Sequence, residues 1–271
     1  MTLVAISAAL FLWWFFTGAI LFAVARRRDV EGCRRAVILS VPLLSLGVAG
    51  GVVTLGDTSV FGAYAAFVSA LCIWGWFEMA FLAGVITGAE TLPGHPDLAP
   101  RERFQRAFAA IQYSEIALVI CATLLALASI GAENRLALMT FMVLFVARIC
   151  AKLNVHFGVP NINDEFLPAP VRHLTTHFRH GPMNAFFPWS VTFLTLATGA
   201  FAERAWTAAA GSGAETGYAL LATLTALALF EHWMMVLPIP DAALWRWILP
   251  SPGRGISNAQ PPSRKQRRHG F

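Results

Sequence analysis

Residues 61–87 read FGAYAAFVSALCIWGWFEMAFLAGVIT, and Glu78 is the single acid or base among them. About 20 helical residues cross the ~30 Å hydrocarbon core of a bilayer, so a run this long and this apolar predicts a transmembrane helix. A charge near the centre of such a helix costs roughly 2.5–3.5 kcal/mol on insertion scales. A span that keeps one carboxylate therefore needs a partner or a use for it.

Outward from this stretch, six more runs of similar character lie at 3–25, 36–55, 107–130, 136–156, 184–206 and 217–237. With 57% hydrophobic and 13% charged residues over 271 positions, the chain falls outside the soluble globular range. The expected fold is all-α: a polytopic membrane bundle of seven transmembrane helices over 1–240, followed by a basic tail at 241–271. Short connections leave no room for an extramembrane domain. No internal repeat and no pair of interrupted helices in matching halves points to an inverted-repeat transporter.

Charge sets the expected orientation. Of the twenty lysines and arginines, all but Arg135, Arg204, Arg148 and Lys152 fall in the segments after the first, third, fifth and seventh runs. That asymmetry predicts a periplasmic N-terminus and a cytoplasmic C-terminus in a bacterial inner membrane. The basic excess then faces anionic lipid at the cytoplasmic surface, worth about 1 kcal/mol per residue, and nucleic acid is not an expected partner. The first run could be mistaken for a signal peptide because of Ala23-Val24-Ala25, but its arginines follow rather than precede it, so it reads as a retained helix. Cys33, Cys72, Cys121 and Cys150 stand singly, without metal or disulfide spacing.

Two loops carry most of the non-helical chemistry, 88–106 and 157–183. In the second, a short amphipathic helix is expected at 169–180, with Val171, Leu174 and Phe178 on one face. Helical spacing there also aligns His173, His177 and His180, in position to meet lipid phosphate or to hold a ligand. Gly47-x-x-x-Gly51 and Gly84-x-x-x-Gly88 suggest close helix packing.

The buried ionisable residues Glu78, Glu115, Arg148, Lys152, Glu231 and His232 count to similar depths from one side of the membrane, which predicts convergence. One account is architectural: Arg148 and Lys152 neutralise two glutamates in a polar layer that fixes helix order. A second is a metal site of Glu78, Glu115, Glu231 and His232, in a membrane enzyme acting on a tetrapyrrole or isoprenoid. The Glu-x-x-His pairs of di-iron bundles are missing, which argues against that chemistry. A third has His232 or His156 ligating the metal of a tetrapyrrole against mid-span tryptophans, Trp74 and Trp76 with Trp13 and Trp14. Trp189, Trp206, Trp233, Trp245 and Trp247, near run ends, suit an interfacial belt.

Several stretches together resemble one known family. They are Ala151-Lys152-Leu153-Asn154-Val155-His156-Phe157-Gly158-Val159-Pro160-Asn161-Ile162-Asn163, then Pro182-Met183-Asn184, then Glu231-His232-Trp233 with Pro238-Ile239-Pro240-Asp241. In these the chain is similar to the PuhE family of photosynthetic-complex assembly proteins of phototrophic proteobacteria. The resemblance implies an integral inner-membrane assembly factor for the reaction centre and core antenna. The expected partners are their subunits or pigment-synthesis enzymes, and the expected ligand is bacteriochlorophyll or a precursor. It supplies no catalytic motif.

Overall fold

The computed structural model describes residues 2–25, 30–94, 98–162, 164 and 167–238. The expected basic tail at 241–271, with Trp245 and Trp247, lies outside them, as do Arg26, Arg27 and Arg28. The described chain is helical, with one isolated β-bridge between Val159 and His180. Its helices are α1 (Thr2–Ala25), α2 (Val30–Leu39), α3 (Val41–Val53), α4 (Val60–Leu82), α5 (Pro100–Ala109), α6 (Gln112–Ala128), α7 (Leu136–Phe157), α8 (Phe187–Thr207) and α9 (Gly213–Met234).

Among the described residues, five helical stretches are long and apolar enough to cross a membrane: α1, Val30–Gly56, α4, α7 and α9. A sixth results if α5 and α6, bent by 64° at their junction, count as one. The α2–α3 stretch is broken only at Ser40, whose hydroxyl donates to the Val37 carbonyl (2.8 Å) just before Pro42 enters the first turn of α3. α8 has the length, but Pro188, Trp189, Ser190, Glu203 and Arg204 dilute its apolar character.

α4 and α9 form the centre. α9 packs on α8, α1, α4 and α7, while α4 also meets α3 and α1. At one end of the bundle, the Ser212 hydroxyl caps α9 by accepting from the Glu215 backbone N–H (3.1 Å), and Glu215 in turn accepts from the Gly211 N–H (2.6 Å). The Thr2 hydroxyl donates to the same Glu215 carboxylate, which pins the first turn of α1 to the first turn of α9. Asn134 joins that end by donating to the Asp57 carbonyl (2.8 Å). Segments 83–94, 158–162 and 167–186 gather at the opposite end.

Several expected boundaries shift for local reasons. The third run stops being helical at Leu82, because Gly84 adopts φ +71° in a tight turn where an added Cβ would lie 2.8 Å from Pro170. Gly84 and Gly88 are thus not a helix-packing motif. Gly47 does mark a close helix approach, its would-be Cβ lying 2.9 Å from both Cys72 and the Ser69 carbonyl, yet its partner in the contact is Gly50, since Gly51 faces open space. The expected amphipathic helix at 169–180 is a 3-10 helix, Ala169–His177. Three residues per turn put positions four apart about 120° away from each other, so the three histidines do not share a face. His177 turns inward, and His180 lies beyond the helix in the bridge to Val159.

Gly88 serves a different purpose: it lies against the α5–α6 junction, where a Cβ would come within 2.1 Å of the Ala109 carbonyl oxygen. Ala89 donates to that oxygen (2.8 Å), and Ser114 donates to the Thr87 carbonyl (3.0 Å). Gly88→Ala is expected to destabilise by about 1–3 kcal/mol, as overpacking does elsewhere. A thermal melt in detergent checks it, and an unchanged midpoint would show that the junction yields.

Candidate functional site

Four of the six expected charges meet between α4, α6 and α7. Arg148 and Lys152 are one turn apart on α7, so both aim at the same side. The Arg148 guanidinium contacts the Glu78 carboxylate directly, and its Nε lies 3.5 Å from Glu115 Oε1. Lys152 Nζ donates to the same Glu115 oxygen at 2.5 Å. Only 10% of the Arg148 side chain and 8% of the Glu115 side chain are exposed, so neither charge is left to solvent. The set is neutral, two acids against two bases, which is the condition for holding ions at low dielectric. Phe81 lies under both cations, its ring centroid 4.7 Å from the Arg148 guanidinium carbon and 4.4 Å from Lys152 Nζ.

This array separates two cavities. The first, about 310 Å³, lies between α1, α4, α7 and α9 and is lined by Trp13, Trp74, Glu78, Arg148, Glu231 and His232. His232 is 2% exposed, and its Nδ1 donates to the Ala228 carbonyl one turn back (2.7 Å). That bond fixes the tautomer, so the lone pair resides on Nε2. Nε2 is buried and has no hydrogen-bond partner among the described residues. Glu231, about 100° further round the helix, is exposed at the rim.

The second cavity, about 400 Å³, lies between α5, α6, α7 and the 3-10 segment, with walls mostly of Phe and aliphatic side chains and with Glu115, Lys152, His156 and His177 around it. Burial, reinforced by neighbouring His173, holds the His177 imidazole below the ordinary histidine pKa, and so neutral at neutral pH.

The expected site residues therefore divide. His232 and Trp74 share the first cavity. Trp76 does not join them: two positions along a helix from Trp74, it faces away and donates its indole N–H to the Val37 carbonyl (3.3 Å). His156 belongs to the second cavity. The carboxylate–histidine ligand set is not assembled either. Glu78 and Glu115 are committed to α7 cations on opposite sides of the array, and no three His, Cys, Asp or Glu side chains among the described residues are grouped as a metal centre requires.

A polar knot that the depth count did not single out joins α7, α8 and α9. Asn154, fully buried, donates to Ser190 Oγ (2.9 Å) and the Cys150 carbonyl (2.9 Å). The Asn184 amide donates to the Gly158 carbonyl (2.8 Å) and reaches Asn154, while its oxygen accepts from the Phe186 and Phe187 N–H groups (2.8 and 3.0 Å), capping α8. Asn161 does the same for the end of α9, donating to the Leu237 (2.6 Å) and Met234 (3.1 Å) carbonyls. Asn154, Asn161 and Asn184, all from the stretches that carried the family resemblance, are thus structural clamps. A buried Asn in an apolar run was the available signal.

Residues 1–255 match the family described as "Protein of unknown function (DUF3623)". A protein of Rhodobacter capsulatus, described as "Uncharacterized 30.4 kDa protein in puhA 5'region", is 48% identical over 245 residues, covering 89% of each chain. No solved structure matches.

Proposed function

We propose, from the premise that the chain belongs to the DUF3623 family, that it is an integral membrane assembly factor of the PuhE type. It holds a magnesium tetrapyrrole, bacteriochlorophyll or a precursor, while photosynthetic apoproteins are assembled. The carrying observation is the buried His232 Nε2, unpartnered in an aromatic-walled cavity. A histidine whose second nitrogen donates to a carbonyl is oriented as metal-ligating imidazoles generally are. Trp13 and Trp74 supply apolar flanks for a flat ring. At about 310 Å³ the cavity is at the small end of ligand sites, room for part of a macrocycle. The metal and ring would supply the light absorption, and the chain would supply one axial nitrogen and exclusion of water. The photosynthetic setting is favoured by the relative's position in the puhA 5′ region together with the sequence resemblance.

In this proposal the bundle crosses the inner membrane seven times, counting α2–α3, α6 and α8 as spans. Thr2, Asn134 and Ser212 lie on the periplasmic side, and Arg34, Arg103 and Arg179 on the cytoplasmic side. Pigment-synthesis enzymes and reaction-centre or core-antenna subunits meet it there.

Purification in mild detergent from a pigment-producing host, followed by an absorption spectrum and magnesium analysis, tests the site. Near-stoichiometric pigment is expected in the wild type, at least about tenfold less in His232→Ala, and no loss in His156→Ala. Colourless wild-type protein, or pigment retained by His232→Ala, would refute the ligand assignment.

A further inference from the structure

We infer that the second cavity, between α5, α7 and the 3-10 segment, binds a hydrocarbon chain that ends in a phosphate. This site is separate from the His232 cavity and stands on different residues.

The walls decide the tail. Phe81, Phe104, Phe108, Ile111, Leu153 and Leu174 surround about 400 Å³ that offers a polar solute almost nothing to bond along its length. Phe104 and Phe108 are 45% and 47% exposed even though they line the cavity, so its α5 side is an uncovered apolar face through which a chain can enter sideways. The opposite roof is held in place by the Gly94 N–H donating to Thr176 Oγ1 (2.7 Å). The cations at the deep end do not attract a headgroup, because Lys152 is already compensated by Glu115.

The rim decides the head. His177 is 6% exposed, and its Nε2 has no hydrogen-bond partner among the described residues. His156 Nδ1 and Arg103 Nε are likewise buried and unpartnered. Arg103 stands beside His156, an Arg103 Nη donating to the His156 carbonyl (3.4 Å), and His156 and His177 both line the cavity. Native structures rarely leave several buried polar nitrogens idle in one place. Two imidazoles on the cavity lining, with a guanidinium beside one of them, match the several acceptor oxygens of a phosphate. A neutral alcohol would satisfy at most one or two of them. The chemistry is shared by two sources: an anionic phospholipid of the surrounding bilayer, and a single-chain prenyl phosphate.

The test is native mass spectrometry of the full-length protein released from maltoside micelles after incubation with hexadecyl phosphate, hexadecanol or inorganic phosphate. One retained hexadecyl phosphate is expected, with hexadecanol at least about tenfold weaker and inorganic phosphate not retained. Arg103→Ala should weaken retention about tenfold. Phe108→Trp, which fills the cavity from a half-exposed position, should abolish it, and His232→Ala should leave it unchanged. Thermal midpoints of the variants confirm that they are folded. A solvent extract of protein taken from its own membrane then identifies the source, a diacyl phospholipid or a prenyl phosphate, and either supports the site. Equal retention of the alcohol and the phosphate, retention unchanged in both Arg103→Ala and Phe108→Trp, or pigment displaced by His177→Ala would overturn it.

Discussion

Arg148→Met should be the most damaging single substitution in the bundle, lowering stability by about 3–5 kcal/mol, the range seen when one partner of a buried ion pair is removed. The guanidinium is the contact that Glu78 makes from α4, and it lies 3.5 Å from Glu115 on α6. Its loss leaves Glu78 uncompensated at low dielectric, whereas Glu115 keeps Lys152. Lys152→Met should cost less for the mirror-image reason, because Arg148 remains beside Glu115. The double variant Arg148→Met with Glu78→Gln should recover most of the loss, since removing both charges also removes the desolvation that the pair offsets. Melts in one detergent, read by tryptophan fluorescence, give all three midpoints. Equal losses in Arg148→Met and Lys152→Met would mean that water enters the array and screens it, and no recovery in the double variant would show that Arg148 acts by packing on Phe81 and Trp74 instead.

Asn184→Ala should follow, at roughly 2–4 kcal/mol, because it combines the loss of a helix cap with a buried amide left unpaired. The side chain closes the knot: its oxygen accepts from two N–H groups of α8, and its nitrogen serves Gly158 and Asn154. Asn184→Asp separates these roles. It keeps the acceptor for the α8 amides, where a negative charge is favourable, but removes the donor and brings an anion beside the Asn154 carbonyl and amide oxygens. The aspartate should therefore retain the cap, with hydrogen-exchange protection of Phe186 and Phe187 near wild type, yet still lower the midpoint. An aspartate as stable as the wild type would show that Asn184 matters only as a cap.

The two substitutions also show what could be read from sequence. The convergence of Glu78, Glu115, Arg148 and Lys152 follows from hydropathy and counting, because both depend on depth alone, and depth is nearly linear along a straight helix. Direction around the helix is not, and Trp76 shows it. Two residues from Trp74, it serves α2 rather than the His232 cavity, a choice made by the position of Val37 in three dimensions. The 3-10 winding of Ala169–His177 was equally hidden, since the apolar spacing of three between Val171 and Leu174 suits both helix types, and it moved His177 from the lipid surface into a cavity. The α5–α6 bend packs against Gly88, which stands 21 positions before Ala109, a closeness that no local spacing displays. Asn154 and Asn184 were visible as letters in the resemblance, but their work lies in partners 30 residues apart.

The tie between Thr2 and Glu215 has a bearing on biogenesis. It joins residues 213 positions apart, on the first and last of the described helices. At about 5–20 residues per second, α1 waits roughly 10–40 seconds in the bilayer before its partner exists. Until then it has α4 for company and an open flank where α9 will lie. Closure of the bundle thus waits for α9, and a chain stalled before α9 would present that flank to whatever insertase, chaperone or protease patrols the membrane.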